Sequence, residues 1–169
     1  MKKIIAIIVG IVMALSMVAC SDKTNNTSNS GSNSKGSVQV PNPFVTCKSL
    51  DEASNIAGFN MNSPENIPNW VNKTTIRAVK GSMIEIIYSG DDENKLCIRK
   101  ALGKEDVSGD YNNYEKTTEI EVDNFTVTVK GNGENINVAT WISGEYSFAL
   151  TSNIGITQED LTFIISTIE

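Results

Sequence analysis

Short segments of period-two alternation, separated by turn residues, dominate the second half of the chain. In the segment from Phe125 to Lys130, the apolar Phe125, Val127 and Val129 alternate with polar residues, which is the pattern of a strand with one buried face. The turns between such segments are short and polar, which favours antiparallel pairing of consecutive strands. The sequence predicts an antiparallel meander of about seven strands, at Thr74–Lys80, Met83–Tyr88, Lys95–Leu102, Thr117–Val122, Phe125–Lys130, Asn135–Ile142 and Tyr146–Thr151.

One helix signature precedes the strands and another follows them. Ser49 and Glu52 form a capping box, and Gly58 is placed to end the helix that it starts. Near the C terminus, Thr157 and Asp160 form a second N-terminal signature. An apolar stripe at helical spacing follows it, at Leu161, Ile164, Ile165 and Ile168. The fold class is therefore predicted as α+β, with the two helices flanking the sheet and covering one of its faces.

The first 20 residues have the layout of an export signal. Lys2 and Lys3 precede an apolar run that ends at Leu15, and small residues then lead into Cys20. The run is shorter than the roughly 20 residues needed to span a bilayer, so we interpret it as a signal peptide. Its end resembles the lipobox of bacterial lipoproteins, which implies cleavage before Cys20 and a diacylglyceryl thioether on its sulfur.

Three regions follow from this layout. Residues 1–20 are the predicted signal peptide, and residues 21–43 are polar enough to form a disordered tether. Residues 44–169 are expected to form a single α+β domain. The lipid on Cys20 would hold this domain at the extracytoplasmic face of the cell membrane.

Charge and the lack of histidine narrow the function classes. The chain has 14 Lys and Arg against 20 Asp and Glu, a net charge of −6, and such an acidic surface is poorly suited to nucleic acid. It has no histidine, which removes the commonest general base and the commonest zinc ligand. We therefore expect no enzymatic activity and no cofactor.

Cys47 and Cys97 are the two thiols that remain once Cys20 is lipidated. Disulfides persist outside the reducing cytosol. The sequence therefore predicts a disulfide between Cys47 and Cys97, with two separate buried thiols as the alternative.

Three stretches carry a resemblance to a known family. They are Ser49–Ala53 with Gly58-Phe59, Glu105–Asn112, and Ala139–Trp141 with Tyr146-Ser147. Together they resemble an uncharacterised lipoprotein and secreted-protein family of Gram-positive, clostridial-type bacteria. That family is similar in turn to the extracytoplasmic C-terminal domain of some membrane-bound anti-sigma factors. The resemblance implies an α+β domain outside the membrane without an assigned activity.

The polar connection from Gly103 to Lys116 is the predicted functional surface. Loops of this length inside compact domains are often functional, although a purely structural loop is the alternative. Its carboxylates suit a cation such as calcium or the backbone of a partner, but their spacing does not match an EF-hand, and we assign no metal ligands. Aromatic side chains add a second kind of contact. The candidate binding residues are Asp106, Asp110, Tyr111, Tyr114 and Trp141, and for Trp141 a place in the core is the alternative.

These observations predict a lipid-anchored binding or sensing module without catalytic activity. Its expected partners are the membrane, through the lipid on Cys20, and a cell-envelope protein or ligand. One alternative is a carrier that holds an apolar ligand between the sheet and the helices. The other is a hydrolase that uses carboxylates.

Overall fold

The structure, a computed structural model, describes residues 41–168. The predicted signal peptide, Cys20 and nearly all of the predicted tether lie outside the described residues. In chain order the elements are β1 (Val45–Cys47), α1 (Leu50–Ala57), β2 (Val71–Val79), β3 (Met83–Gly90), β4 (Lys95–Leu102), β5 (Lys116–Val122), β6 (Phe125–Gly131), β7 (Ile136–Ser143), β8 (Tyr146–Ile156) and α2 (Gln158–Thr167).

The eight strands form one antiparallel sheet made of two four-stranded meanders. The strand order is β1-β2-β3-β4-β8-β7-β6-β5, and β4 pairs with β8. Residues 103–115, which we call the crossing loop, therefore carry the chain from the middle of the sheet to its β5 edge. The predicted α+β class and antiparallel sheet are confirmed. The predicted count of about seven strands is one short, because the three-residue β1 is too short to show a period-two pattern.

Both helices begin where their capping residues predict. The side chain of Ser49 accepts a hydrogen bond from the backbone N–H of Glu52 (3.2 Å), and Gly58 ends α1 in a left-handed conformation with φ 85°. Thr157 caps α2 in the same way, through the N–H of Asp160 (3.1 Å). Neither helix in the described part of the chain is long and apolar enough to cross a membrane.

Side chains alternate between a helix-covered face and an open face of the sheet. The covered face holds the main core, where the buried side chains of α1 and α2 join those of the strands, among them Ile84, Ile86, Ile98 and Leu150. The intervening residues of each strand point to the other side, which we call the open face. On this face the strand register places Arg77 opposite Glu85, and Glu85 opposite Arg99. The crossing loop lies against the open face, since Arg99 bonds to its backbone.

Candidate functional site

A buried carboxylate on the open face holds two arginines in place. Glu85 is fully buried, and its Oε1 accepts a hydrogen bond from Nε of Arg77 (2.6 Å) while its Oε2 accepts one from Nε of Arg99 (2.7 Å). Arg77 adds a second contact to Glu85 through Nη2. Both oxygens of the carboxylate are thus occupied by charge-assisted bonds, which are the stronger class of hydrogen bond.

The electrostatics of Glu85 favour its ionised form. Burial alone raises the pKa of a carboxyl group, but the hydrogen bonds and positive charges of Arg99 and Arg77 outweigh burial and hold the pKa of Glu85 below its usual range. Glu85 is therefore a structural anion. Its two oxygens already accept three contacts from the arginines, and the lowered pKa makes it a weak base, so it is unsuited to act as a general base.

Arg99 ties the crossing loop to the sheet. Its Nη1 donates to the carbonyl oxygens of Val107 (2.9 Å) and Ser108 (2.6 Å). The next residue is Gly109, with φ 62°, and a β-carbon there would collide with Nη1 of Arg99. The close approach of loop backbone and guanidinium thus requires glycine at this position.

A polar groove of about 550 Å³ lies between the crossing loop and the open face. Arg77, Lys95 and Arg99 supply its cations. Asp110 lies on the loop side, and its carboxylate accepts hydrogen bonds from the backbone N–H of Asn112 (2.9 Å) and from the hydroxyl of Tyr114 (3.0 Å). The remaining lining includes five amide side chains, those of Asn112, Asn113, Asn132, Asn137 and Asn153.

Several of these amides have hydrogen-bonding groups to spare. Asn132 uses its Oδ1 to accept from the backbone N–H of Glu115 (3.1 Å), and Asn137 uses its Nδ2 to donate to the carbonyl of Ser152 (3.0 Å). The other end of each amide, and the whole side chain of Asn113, has no hydrogen-bond partner within residues 41–168. The groove therefore presents both donors and acceptors to a ligand.

The candidate residues of the crossing loop are divided among three environments. Asp110 and Tyr114 line the polar groove. Asp106 instead caps the backbone N–H of Ser108 (2.8 Å), faces Lys130 at 3.7 Å, and borders a second groove of about 410 Å³. Tyr111 is 95% exposed and lines neither groove.

The prediction that groups Trp141 with Tyr111 and Tyr114 on one ligand surface is wrong. Trp141 borders the second groove, but it is only 4% exposed, and its ring stacks on Phe148 with centroids 5.2 Å apart. Its position in β7 places it on the covered face, whereas Tyr114 belongs to the loop over the open face. The physical reason is strand alternation, since Trp141 is paired with Phe148 of β8 and both point into the core.

The predicted disulfide between Cys47 and Cys97 is also wrong, and both thiols are free and buried. Cys47 lies in β1 and Cys97 in β4, so three strand spacings, or roughly 14 Å, separate them. They also point to opposite faces, because Cys47 pairs with Ile76 of the covered face while Cys97 lies on the open face beside Arg99. A disulfide needs Cα atoms within about 7 Å.

Neither thiol is prepared for nucleophilic chemistry. Burial, with a smaller contribution from the charge of Glu85, raises the pKa of Cys97 to about 12. Burial and the nearby Glu52 also raise the pKa of Cys47. Both groups are therefore neutral thiols at physiological pH, and the thiolate is the reactive form.

The carboxylates of the crossing loop are not gathered into a cation site. Within residues 41–168, no three Cys, Asp or Glu side chains converge closely enough to hold a metal ion. Asp106 and Asp110 are engaged with separate partners.

The sequence predictions do not include the residues that build the groove from the sheet side. These are Arg77, Glu85 and Arg99. The available signal was Glu85 itself, a single carboxylate inside the otherwise apolar start of β3. A charge at such a position is almost always paired when it is buried.

In comparisons with known proteins, no family model matches the chain, and neither the curated proteins nor the solved structures give a match. The family resemblance of the sequence thus stays a prediction.

Proposed function

We propose that the chain is a non-catalytic binding or sensing module, anchored by lipid at the extracytoplasmic face of the cell membrane, whose ligand binds in the polar groove. The observation that carries this proposal is the fixed position of the crossing loop. Arg99, itself held by the buried Glu85, bonds to two consecutive carbonyls of the loop. A groove with a wall fixed in this way is ordered before the ligand arrives, and this lowers the entropic cost of binding.

The chemistry of the lining supports binding over catalysis. Glu85 is occupied by two arginines, and Cys97 is a neutral thiol with a pKa of about 12. The hydroxyl of Tyr114 donates to Asp110, and burial together with that carboxylate raises the pKa of Tyr114. None of these groups is poised as a general base or a nucleophile near neutral pH.

No specific observation favours the two alternative functions. A carrier of an apolar ligand needs space between the sheet and the helices, and large, fully buried side chains occupy that layer, including Tyr88, Leu96, Leu150 and Leu161. A carboxylate-dependent hydrolase needs two facing carboxylates with free oxygens. The groove contains Glu85 and Asp110, and both are committed to hydrogen bonds.

The location at the membrane is supported by the export signal and by Cys20 at its end. We expect Cys20→Ala to abolish metabolic labelling of the protein by a fatty-acid analogue and to release the protein from the membrane fraction. Cys47→Ala is the matched control, because this buried thiol is not the acceptor and labelling should persist. Labelling of Cys20→Ala at the level of the wild type would contradict the anchor.

The groove can be tested with the detergent-solubilised full chain and the isolated envelope fraction of the producing cells. We expect Asn113→Ala combined with Asn137→Ala to reduce the amount of protein that the envelope fraction retains about tenfold. Each lost hydrogen bond contributes about 0.5–1.5 kcal/mol. Asn60→Ala is the control, because this exposed amide lies outside the groove. The unfolding temperatures of the wild type, the double variant and the control should first be verified as similar. Equal retention of these three proteins by the envelope fraction would then place the binding surface elsewhere.

A further inference from the structure

We infer that the polar groove takes an anionic, hydroxyl-rich ligand, a saccharide or polyol that carries a carboxylate or a phosphate. The inference depends on the proposed function and adds the charge and the chemical class of the ligand. Three features of the groove support it: its local charge, the remaining terminal nitrogen of each of its two guanidinium groups, and its amide lining.

The groove is locally cationic on an acidic chain. Its lining contains Arg77, Lys95 and Arg99 against the carboxylates of Glu85 and Asp110. The chain as a whole carries a net charge of −6. The ammonium group of Lys95 forms no ion pair with any residue from 41 to 168. A local excess of positive charge inside a concave site attracts anions in preference to neutral ligands.

Each arginine keeps one terminal nitrogen that bonds to no carboxylate or carbonyl oxygen within residues 41–168. Arg77 is bound to Glu85 through Nε and Nη2, and Arg99 is bound through Nε and Nη1. Nη1 of Arg77 and Nη2 of Arg99 donate to no oxygen of the described chain. The two residues flank Glu85 on neighbouring strands, so their backbones are roughly 10 Å apart. Each remaining terminal nitrogen can donate a charge-assisted hydrogen bond to an oxygen of a carboxylate or a phosphate.

Partial burial strengthens this attraction. The side chains of Arg77 and Arg99 are 27% and 20% exposed, and a charge at such a site is screened less than one on the open surface. Glu85 has already offset much of the cost of removing the two guanidinium groups from water. An incoming anion therefore meets cations that are fixed in place and partly dehydrated.

The amides select the rest of the ligand. A hydroxyl group both donates and accepts, as does an asparagine amide. The free amide groups of Asn113, Asn132 and Asn137 can bond to consecutive hydroxyls of a sugar or polyol. The volume of about 550 Å³ lies within the range of small-molecule sites.

The test is isothermal titration of the detergent-solubilised full chain with three probes. These are trigalacturonate, which carries carboxylates, the neutral galactotriose, which has a similar size, and sn-glycerol 3-phosphate. We expect at least one anionic probe to bind about tenfold or more tightly than galactotriose, and its affinity to fall as salt is added. The probe that binds more tightly assigns the acid as a carboxylate or a phosphate.

Two variants locate the anion. Lys95→Gln changes an exposed side chain and leaves the Glu85 cluster intact, so it should fold normally and weaken binding of the anionic probe about fivefold. Arg77→Gln should weaken it about tenfold. Lys80→Gln, at the exposed turn between β2 and β3, should leave the affinity unchanged.

The inference fails if galactotriose binds as tightly as the anionic probes, if none of the three binds, or if neither Lys95→Gln nor Arg77→Gln weakens binding. A different result tests the proposed function. If envelope retention still depends on Asn113 and Asn137 while the anionic probes show no preference, the groove binds a ligand of another class.

Discussion

Glu85→Gln is expected to lower the free energy of unfolding by about 3–5 kcal/mol, the usual effect of removing one partner from a buried ion pair. The carboxylate is fully buried between Arg77 and Arg99. Glutamine has nearly the same shape, so the effect reports the lost charge together with the replacement of one acceptor oxygen by an NH2 donor that faces a guanidinium group. Urea unfolding followed by circular dichroism measures the difference.

Glu119→Gln is the matched control, because Glu119 is an exposed residue of β5 and should change stability by no more than about 0.5 kcal/mol. A triple replacement, Arg77→Met with Glu85→Leu and Arg99→Met, removes the whole charge cluster. It should recover most of the stability that Glu85→Gln loses, since an apolar substitute for a buried cluster is often neutral or stabilising. The crossing loop of that variant would lose its bonds to Arg99. A loss below about 1 kcal/mol in Glu85→Gln would contradict the role given to the carboxylate.

The pH dependence of stability provides a second readout of the same residue. The pKa of Glu85 in the folded protein lies below its ordinary value of 4.5. The stabilisation is therefore complete above pH 4.5 and is lost as the pH falls below that value through the folded pKa. Glu85→Gln should lack this component of acid destabilisation, so the two stability curves should converge at low pH.

The sequence predicts the local elements well because their signals are local. β4 was predicted with the bounds that the structure has, Lys95–Leu102, and both helix caps were identified from residues three positions apart. The register of the β2–β3 hairpin was beyond such signals. A two-residue turn at Gly81-Ser82 would pair Lys80 with Met83 and thus Arg77 with Ile86.

The structure instead has a three-residue turn, with Gly81 at φ 64° and Val79 opposite Met83. This change of one residue pairs Arg77 with Glu85 and creates the charge cluster. The register of a strand decides which side chains meet, and here the register depends on the length of one turn.

Assembly of the groove depends on pairings that are distant in sequence. β4 lies next to β8 because the crossing loop carries the chain to the far edge of the sheet, and this brings Asn137 and Asn153 close to Lys95 and Arg99. The length and polarity of the crossing loop predict a functional surface that includes Asp110 and Tyr114, and both residues line the groove. Apart from Glu85, the sheet half of the groove has no signature in any single segment. Its asparagines join the charged cluster only when β4 and β8 are paired.

Trp141→Ala is expected to lower the free energy of unfolding by about 3–5 kcal/mol, the range for removal of a large buried aromatic side chain. Trp141 is 4% exposed and stacks on Phe148 with an interplanar angle of 12°. The loss has two physical sources, the free energy of burying the indole, which the variant no longer gains on folding, and the cavity left beside Phe148. Tyr111→Ala is the control, because Tyr111 is 95% exposed and its removal should change stability by no more than about 0.5 kcal/mol. Urea unfolding of both variants provides the comparison.

The same pair of variants also separates packing from binding. Well below its lowered unfolding temperature, the Trp141→Ala protein should be retained by the envelope fraction as the wild type is. The reason is that the indole lies on the covered face, whereas the polar groove lies on the open face. A Trp141→Ala protein that stays stable but is no longer retained by the envelope fraction would contradict the placement of Trp141 in the core. Trp141 would then belong to the binding surface. A Trp141→Ala protein that is destabilised and still binds places its contribution in the core, where its stacking on Phe148 supports the sheet on which Glu85 and Arg99 are arranged.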